Sequence, residues 1–228
     1  MDKTIVISLG GSLIIPNKID YNFLGNFKKA IIKNIKKHKF VIVCGGGAIA
    51  REYIEILKKQ GRSKKEQAYA GIDATRMNAK ILMKVFEKES NKTLPESIKS
   101  VKSHLDKNRI VICGALRYEK NETSDSTSAK LAGCLKTEFI NLTDVLVLYT
   151  ENPKTNPKAK FIPKISWKDF EKMAKKIPYT PGQHFVLDQH AAKIIKKHKI
   201  PTYIIGQNLR NFDRLLKNKK WTGTLIKS

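Results

Sequence analysis

The segment FVIVCGGGAIARE, residues 40–52, runs from an apolar, β-branched stretch through three consecutive glycines into residues with helical spacing. A strand that turns directly into a helix needs one glycine at the turn. Gly45, Gly46 and Gly47 give up three side chains, as a chain does where something must approach the backbone closely. Bare main-chain amides followed by the positive end of a helix make a seat for phosphate oxygens. Arg51 falls about one helical turn beyond the glycines, where a guanidinium fork can clamp the same anion.

Similar apolar runs recur at TIVISL (4–9), RIVICG (109–114), EFINL (138–142), VLVLYT (145–150) and TYIIG (202–206). Helical spacing fills most of the gaps, over 23–35, 48–59, 73–87, 126–135 and 187–198. Short buried strands alternating with helices predict a largely parallel sheet covered on both faces. The Pro/Lys-rich stretch TENPKTNPKAKFIPK (150–164) is the clearest loop, and a lobe boundary is expected near residues 136–142.

A second glycine turn, SLGGS (8–12), follows the first apolar run. In open α/β sheets ligands collect at the carboxyl ends of strands. One such turn is best read as a tight strand-to-helix connection; two, one of them followed by arginine, favour phosphate binding. Neither is a G-x-x-x-x-G-K-[ST] loop, and GGGAIA lacks both the G-x-G-x-x-G spacing and its acidic partner, so neither standard nucleotide fingerprint applies.

A net charge of +25 invites a nucleic-acid reading, but only seven of the 45 basic residues are arginine, the better reader of bases and phosphates. The lysines are spread along nearly every helical segment, which describes a solvated surface; non-specific polyanion binding at low salt is all that follows. No apolar run approaches the ~20 residues of a bilayer span and the start of the chain has no secretory pattern, so a cytoplasmic protein without membrane contact is expected. Cys44 and Cys113 end apolar runs and read, with Cys134, as free thiols in a reducing compartment. His184, His190 and His198 show no zinc-ligand spacing.

Six segments in order resemble the amino acid kinase superfamily, and within it the archaeal-type UMP kinases: VISLGGSLIIP, GGGAIAREYIE, GIDATRMNAKIL (71–82), TSDSTSAKLA (123–132), TDVLVLYTENP, and VLDQHAAKII with KIPTYIIG and GTLI after it. The resemblance covers nearly the whole chain. It implies one domain over residues 1–228, a three-layer αβα sandwich with a mainly parallel open sheet. Residues 1–140 would form the acceptor lobe and 141–228 the ATP lobe. It implies transfer of the γ-phosphoryl group of ATP to UMP in pyrimidine nucleotide biosynthesis, Mg²⁺ carried by ATP, and a homohexamer.

By motif position, Gly11, Ser12, Gly47, Arg51 and Lys193 would serve the transferring group, and Gly46, Thr123, Ser124 and Asp125 would face UMP. Gly10, Gly11, Ser12, Gly47 and Arg51, with Thr143, Asp144, Tyr149 and Asn152, would hold ATP. Plainer readings stand beside these: Asp144 as a turn cap, Asp125 as a first-turn carboxylate, Tyr149 as core, Lys193 as a solvated lysine, and Arg76 as a surface or inter-subunit arginine.

The chain also departs from the family pattern. Ser8 stands where many members place a lysine, leaving Lys193 and Arg51 as candidate cations. Ala68 stands where the family has a ribose-binding aspartate, with Glu66 and Gln67 as nearby polar alternatives. Leu146-Val147 replaces Asp-Gly, and RYEKNE replaces a shorter Pro-Gly-His. These changes keep open a kinase of another small phosphate acceptor, or a catalytically weak regulatory or anion-binding protein.

Overall fold

The computed structural model describes residues 3–120, 122–151, 156–176 and 187–227. One sheet organises them. Its strands are β1 (Lys3–Leu9), β2 (His38–Cys44), β3 (Ile110–Cys113), β4 (Glu138–Leu142), β5 (Lys164–Ile165), β6 (Thr202–Ile205) and β7 (Thr224–Ile226), in the order β3-β2-β1-β4-β6-β7-β5. Every pairing is parallel except β6 with β7.

The helices are α1 (Gly11–Ile14), α2 (Tyr21–Asn34), α3 (Gly47–Lys59), α4 (Lys64–Phe86), α5 (Ile98–Lys107), α6 (Ser124–Leu135), α7 (Trp167–Ala174), α8 (Gln189–Lys197) and α9 (Leu209–Leu216), with a 3₁₀ turn at Glu87–Glu89. Strand alternation divides the core in two. Ile5, Ile7, Leu9, Phe40 and Ile42 pack on one face against Phe27, Leu82, Phe86 and Phe212. Val6, Val41, Val43 and Val111 pack on the other against Leu131, Phe170, Ala191 and Ile195. The result is the expected αβα sandwich. Ser8 belongs by alternation to the face of Val6, the side on which α6 lies.

Two expectations change. Residues 145–150 are not a strand: β6 already occupies the edge beside β4, so this apolar run leaves the sheet and packs as a loop. Val147 and Leu148 are buried there, the Leu148 amide donates to Thr224 Oγ1 at 2.9 Å, and Tyr149 keeps a single bridge to Phe161. The helix expected from residue 73 begins at Lys64, because Ser63 and Glu66 form a reciprocal capping box. The family's Asp-Gly position is filled by packing: Leu146 lies against Gly206, where a Cβ would come within 3.0 Å of the Leu146 Cα.

Cys44 and Cys113 are buried free thiols. Burial pushes the Cys44 thiol well up and that of Cys113 to about 12, so neither is a ready nucleophile. No helix among the described residues is long and apolar enough to cross a membrane.

Candidate active site

The two glycine turns sit at the carboxyl ends of β1 and β2 and touch each other, backbone to backbone. A Cβ on Gly11 would lie 2.0 Å from the Gly47 nitrogen and 2.6 Å from its Cα; one on Gly45 would lie 2.5 Å from the Gly11 nitrogen. Gly47 is in the left-handed region at φ +67°, with Gly11 O 2.5 Å from where its Cβ would stand. A Cβ on Gly46 would meet that of Ala50 at 2.4 Å. The glycines are thus required first by loop-to-loop and loop-to-helix packing, a reason the sequence reading did not contain.

Hydrogen bonds lace this strand-end surface together. Gly10 N donates to Leu142 O (2.8 Å), Gly45 N to Leu9 O (2.9 Å), Thr143 N to Ile205 O (3.0 Å) and Ala48 N to Ile15 O (3.2 Å). Turns after β1, β2 and β4 therefore form one contiguous patch that includes Gly10, Gly11, Ser12, Gly46, Gly47 and Thr143. At helix starts the leading amides have no partner within their own helix, so α3 brings its positive end to this patch.

The T-R-x-N stretch of α4 holds the turns from behind. Asn78 Nδ2 donates to Gly45 O at 2.8 Å and Gly46 O at 3.2 Å, which ties down the carbonyls of the glycine turn. Thr75 Oγ1 accepts from Ala115 N at 2.9 Å. Arg76 donates to Ala115 O (3.1 Å) and Leu116 O (2.6 Å) and pairs with Glu96 at 3.2 Å. Arg76 is therefore an internal clamp on the loop after β3, and not a free surface arginine. Gly114 admits it, since a Cβ there would meet the Arg76 nitrogen at 2.7 Å.

The next turn, Thr123–Asp125, joins the patch through β1. Ser8 Oγ donates to Asp125 Oδ1 at 2.7 Å, across 117 residues of chain. Thr123 caps α6, accepting from Asp125 N (3.1 Å) and Ser126 N (3.3 Å), so the cap is Thr123 and Asp125 takes the plainer place expected of it, a first-turn carboxylate. The RYEKNE insertion is tied to α6 through Lys130, which pairs with Glu119 and, at 2.6 Å, with Glu122. The bond to Lys130 holds the Glu119 carboxyl down at about 2.

Burial, with Asp188 nearby and against the Ser8 hydrogen bond, pushes Asp125 up to about 7 from its ordinary 3.8. A carboxyl that binds its proton more tightly when folded adds stability that is complete below the unfolded pKa. That contribution fades as pH rises through the folded one. Asp125→Asn, neutral at every pH, should gain on the unmodified protein between about pH 4 and about pH 7 and run parallel above. The steepest gain should be about 1.4 kcal/mol per pH unit. Urea denaturation at a series of pH values measures it; two parallel profiles would mean that Asp125 titrates normally.

Other expected residues are placed less tightly. Arg51 is half-buried on α3 and makes no ion pair among the described residues. Thr143 Oγ1 donates to Asp144 Oδ1 at 3.1 Å, a turn contact on an exposed residue. Lys193 is exposed on α8, with no hydrogen bond or ion pair to the turns among the described residues. Asn152 and His184 lie outside the described residues. Glu66 and Gln67 are occupied locally, in the Ser63 cap and on Arg62 O at 2.8 Å, so neither is poised to replace the aspartate missing at Ala68.

Asp188 was not singled out by motif, although an aspartate just before a helical run is a capping signal. Its side chain caps α8 and meets the start of α6. An open cavity at the opposite end of the sheet, lined by Lys3, Lys136, Glu138, His198 and Lys199, is remote from all of this. Its lysines sit where α6 and α8 present their negative ends.

The Amino acid kinase family model matches residues 3–206. The chain is 33% identical over 212 residues to a uridylate kinase of Pyrococcus abyssi, covering 92% of this chain and 93% of that protein. It is 32% identical over 226 residues to a uridylate kinase of Methanothrix thermoacetophila, covering 98% and 99%. The crystal structure of uridylate kinase from Archaeoglobus fulgidus matches its fold with a TM-score of 0.85 at 31% identity, over 97% of this chain and 99% of that one. Ordered motifs, abutting glycine turns and these near-full-length matches converge on one conclusion: the chain belongs to the amino acid kinase family.

Proposed function

We propose that this protein is a UMP kinase, transferring the γ-phosphoryl group of ATP to UMP to give UDP in pyrimidine nucleotide biosynthesis. The observation that carries the reading is the contact between the Gly10–Ser12 and Gly45–Gly47 turns at neighbouring strand ends. Together they form one backbone surface, headed by α3, on which two phosphate groups can meet. Phosphoryl transfer needs in-line placement and neutralisation of the moving group far more than covalent help from the protein. A general base is unnecessary, because the acceptor phosphate is already ionised near neutral pH.

In this reading Gly46, Thr123, Ser124 and Asp125 face UMP from the 1–140 lobe. Thr143, Asp144, Tyr149 and Asn152 in the 141–228 lobe hold ATP with Gly10, Gly11, Ser12, Gly47 and Arg51. Gly11, Ser12, Gly47, Arg51 and Lys193 attend the transferred group. Mg²⁺ arrives on the ATP phosphates, a mode that asks few protein ligands. The protein works in the cytoplasm, as a homohexamer, and meets nucleic acid only non-specifically. Support for self-association comes from apolar side chains about half exposed on α3 and α4: Tyr53, Ile56, Tyr69 and Met77.

A coupled assay of ADP release with UMP, CMP, AMP, isopentenyl phosphate and acetylglutamate as acceptors tests the activity. UMP should give the highest kcat/KM. A different best acceptor, or silence across the panel while ATP still binds, would overturn the reading.

A further inference from the structure

Asp188 is only 4% exposed, yet its carboxylate meets four donors from two helices. Its Oδ1 accepts from the amides of His190 (2.7 Å) and Ala191 (2.9 Å), which caps α8. The same group accepts from Ser126 Oγ, at 3.0 and 3.1 Å to its two oxygens, and from Thr123 Oγ1. Thr123 is in turn the cap of α6, so the heads of two helices share one buried carboxylate.

Capping alone does not explain this arrangement. A serine, threonine or asparagine at the helix boundary caps as well, without burying a charge, and a buried carboxylate is costly unless its lone pairs are filled. Here the lone pairs beyond those used by α8 are filled by α6. That helix carries the Thr123–Asp125 turn, whose Asp125 is bonded back to Ser8 on β1. Asp188 is also the charge that, after burial, raises Asp125.

We propose that Asp188 is a positioning residue for phosphoryl transfer: through Thr123 and Ser126 it locks the head of α6, on the acceptor side, to the head of α8, on the ATP side. The proposal rests on the UMP kinase reading for its consequence, and on the hydrogen bonds alone for the lock. Displacement of an acceptor-side turn by even about 1 Å suffices to cost on the order of a hundredfold in rate.

Asp188→Asn separates the lock from the cap. Asparagine caps as well as aspartate, but its amide has one acceptor oxygen where the carboxylate has two, so α8 stays capped while the hold on Thr123 and Ser126 weakens. Two readouts are expected. Hydrogen exchange should quicken at the amides of Asp125 and Ser126 and stay slow at His190 and Ala191. With UMP and ATP, kcat should fall about tenfold to a hundredfold while KM for ATP changes less than about twofold.

Combining Asp188→Asn with Thr123→Val should cost less than the sum of the two singles, because both cut the same tie. Should Asp188→Asn not fold, Ser126→Ala removes one donor only and should show the same pattern, weakened. Unchanged exchange at the head of α6, or unchanged kcat in a protein that does turn over UMP, overturns the proposal. If UMP fails as acceptor but the head of α6 loosens, the kinase reading falls and the lock stands.

Discussion

Gly11→Ala should cost the protein a large share of its stability and nearly all of its activity. The added methyl would stand 2.0 Å from the Gly47 nitrogen, 2.6 Å from its Cα and 2.8 Å from the Gly45 carbonyl carbon. All three are backbone atoms, with no flexible side chain to swing away. The two turns must part, and they are held at close range by the strands they terminate, β1 and β2, which pair over seven residues. Overpacking of this kind costs about 3 kcal/mol or more, which for a chain of this size lowers Tm by about 6–12 °C. Because both turns would seat the reacting phosphates, kcat/KM with UMP should drop by about two orders of magnitude or more. Gly25→Ala is the internal comparison: nothing lies within 4 Å of its added Cβ, in the middle of α2, and alanine there should stabilise by about 0.5–1 kcal/mol. Calorimetry and the coupled assay on both variants decide the matter. A Gly11→Ala protein with ordinary Tm would show that the turns stand further apart than described.

Arg51→Ala should reduce kcat/KM for UMP by about tenfold to a thousandfold while leaving stability within about 0.5 kcal/mol. Ser8 stands where many superfamily members place a lysine, so another cation must balance charge on the migrating phosphoryl group. Arg51 lies on α3, one turn past Gly45–Gly47, half-buried and unpaired among the described residues. An arginine that stabilises no ion pair can be lost without unfolding the protein, which is why the effect should separate into activity alone. Arg51→Lys should recover part of the loss, since it returns the charge without the planar fork. Unaltered kinetics in Arg51→Ala would leave the exposed Lys193 as the remaining candidate.

Much of the fold is legible in local pattern. The unbroken apolar runs TIVISL and FVIVC mark strands buried on both faces, and EFINL matches β4 residue for residue. These segments declare themselves because burial of both faces of a parallel strand demands an unbroken apolar run. VLVLYT carries the same pattern and is no strand, because an apolar run reports burial and not hydrogen-bond partners; the edge beside β4 belongs to β6. Ser63 and Glu66 announce the true start of α4 in plain sequence, but the lysines around them read as surface. The short β5 and β7 leave too few residues for any period to register.

The candidate site divides in the same way. That glycine turns end two strands, and that an arginine follows one of them, is written in the chain itself, as are the ordered motifs that tie it to its family. What those glycines are for could be learned only in three dimensions. Gly11 and Gly47 are distant in sequence, and their need to lack side chains arises from where β1 and β2 bring them. Ser8 meets Asp125, Thr123 meets Asp188 and Arg76 meets Ala115 for the same reason. Local spacing governs which residues share a face of one element. Which elements then face each other is set by the order and twist of the sheet, a property of the whole chain.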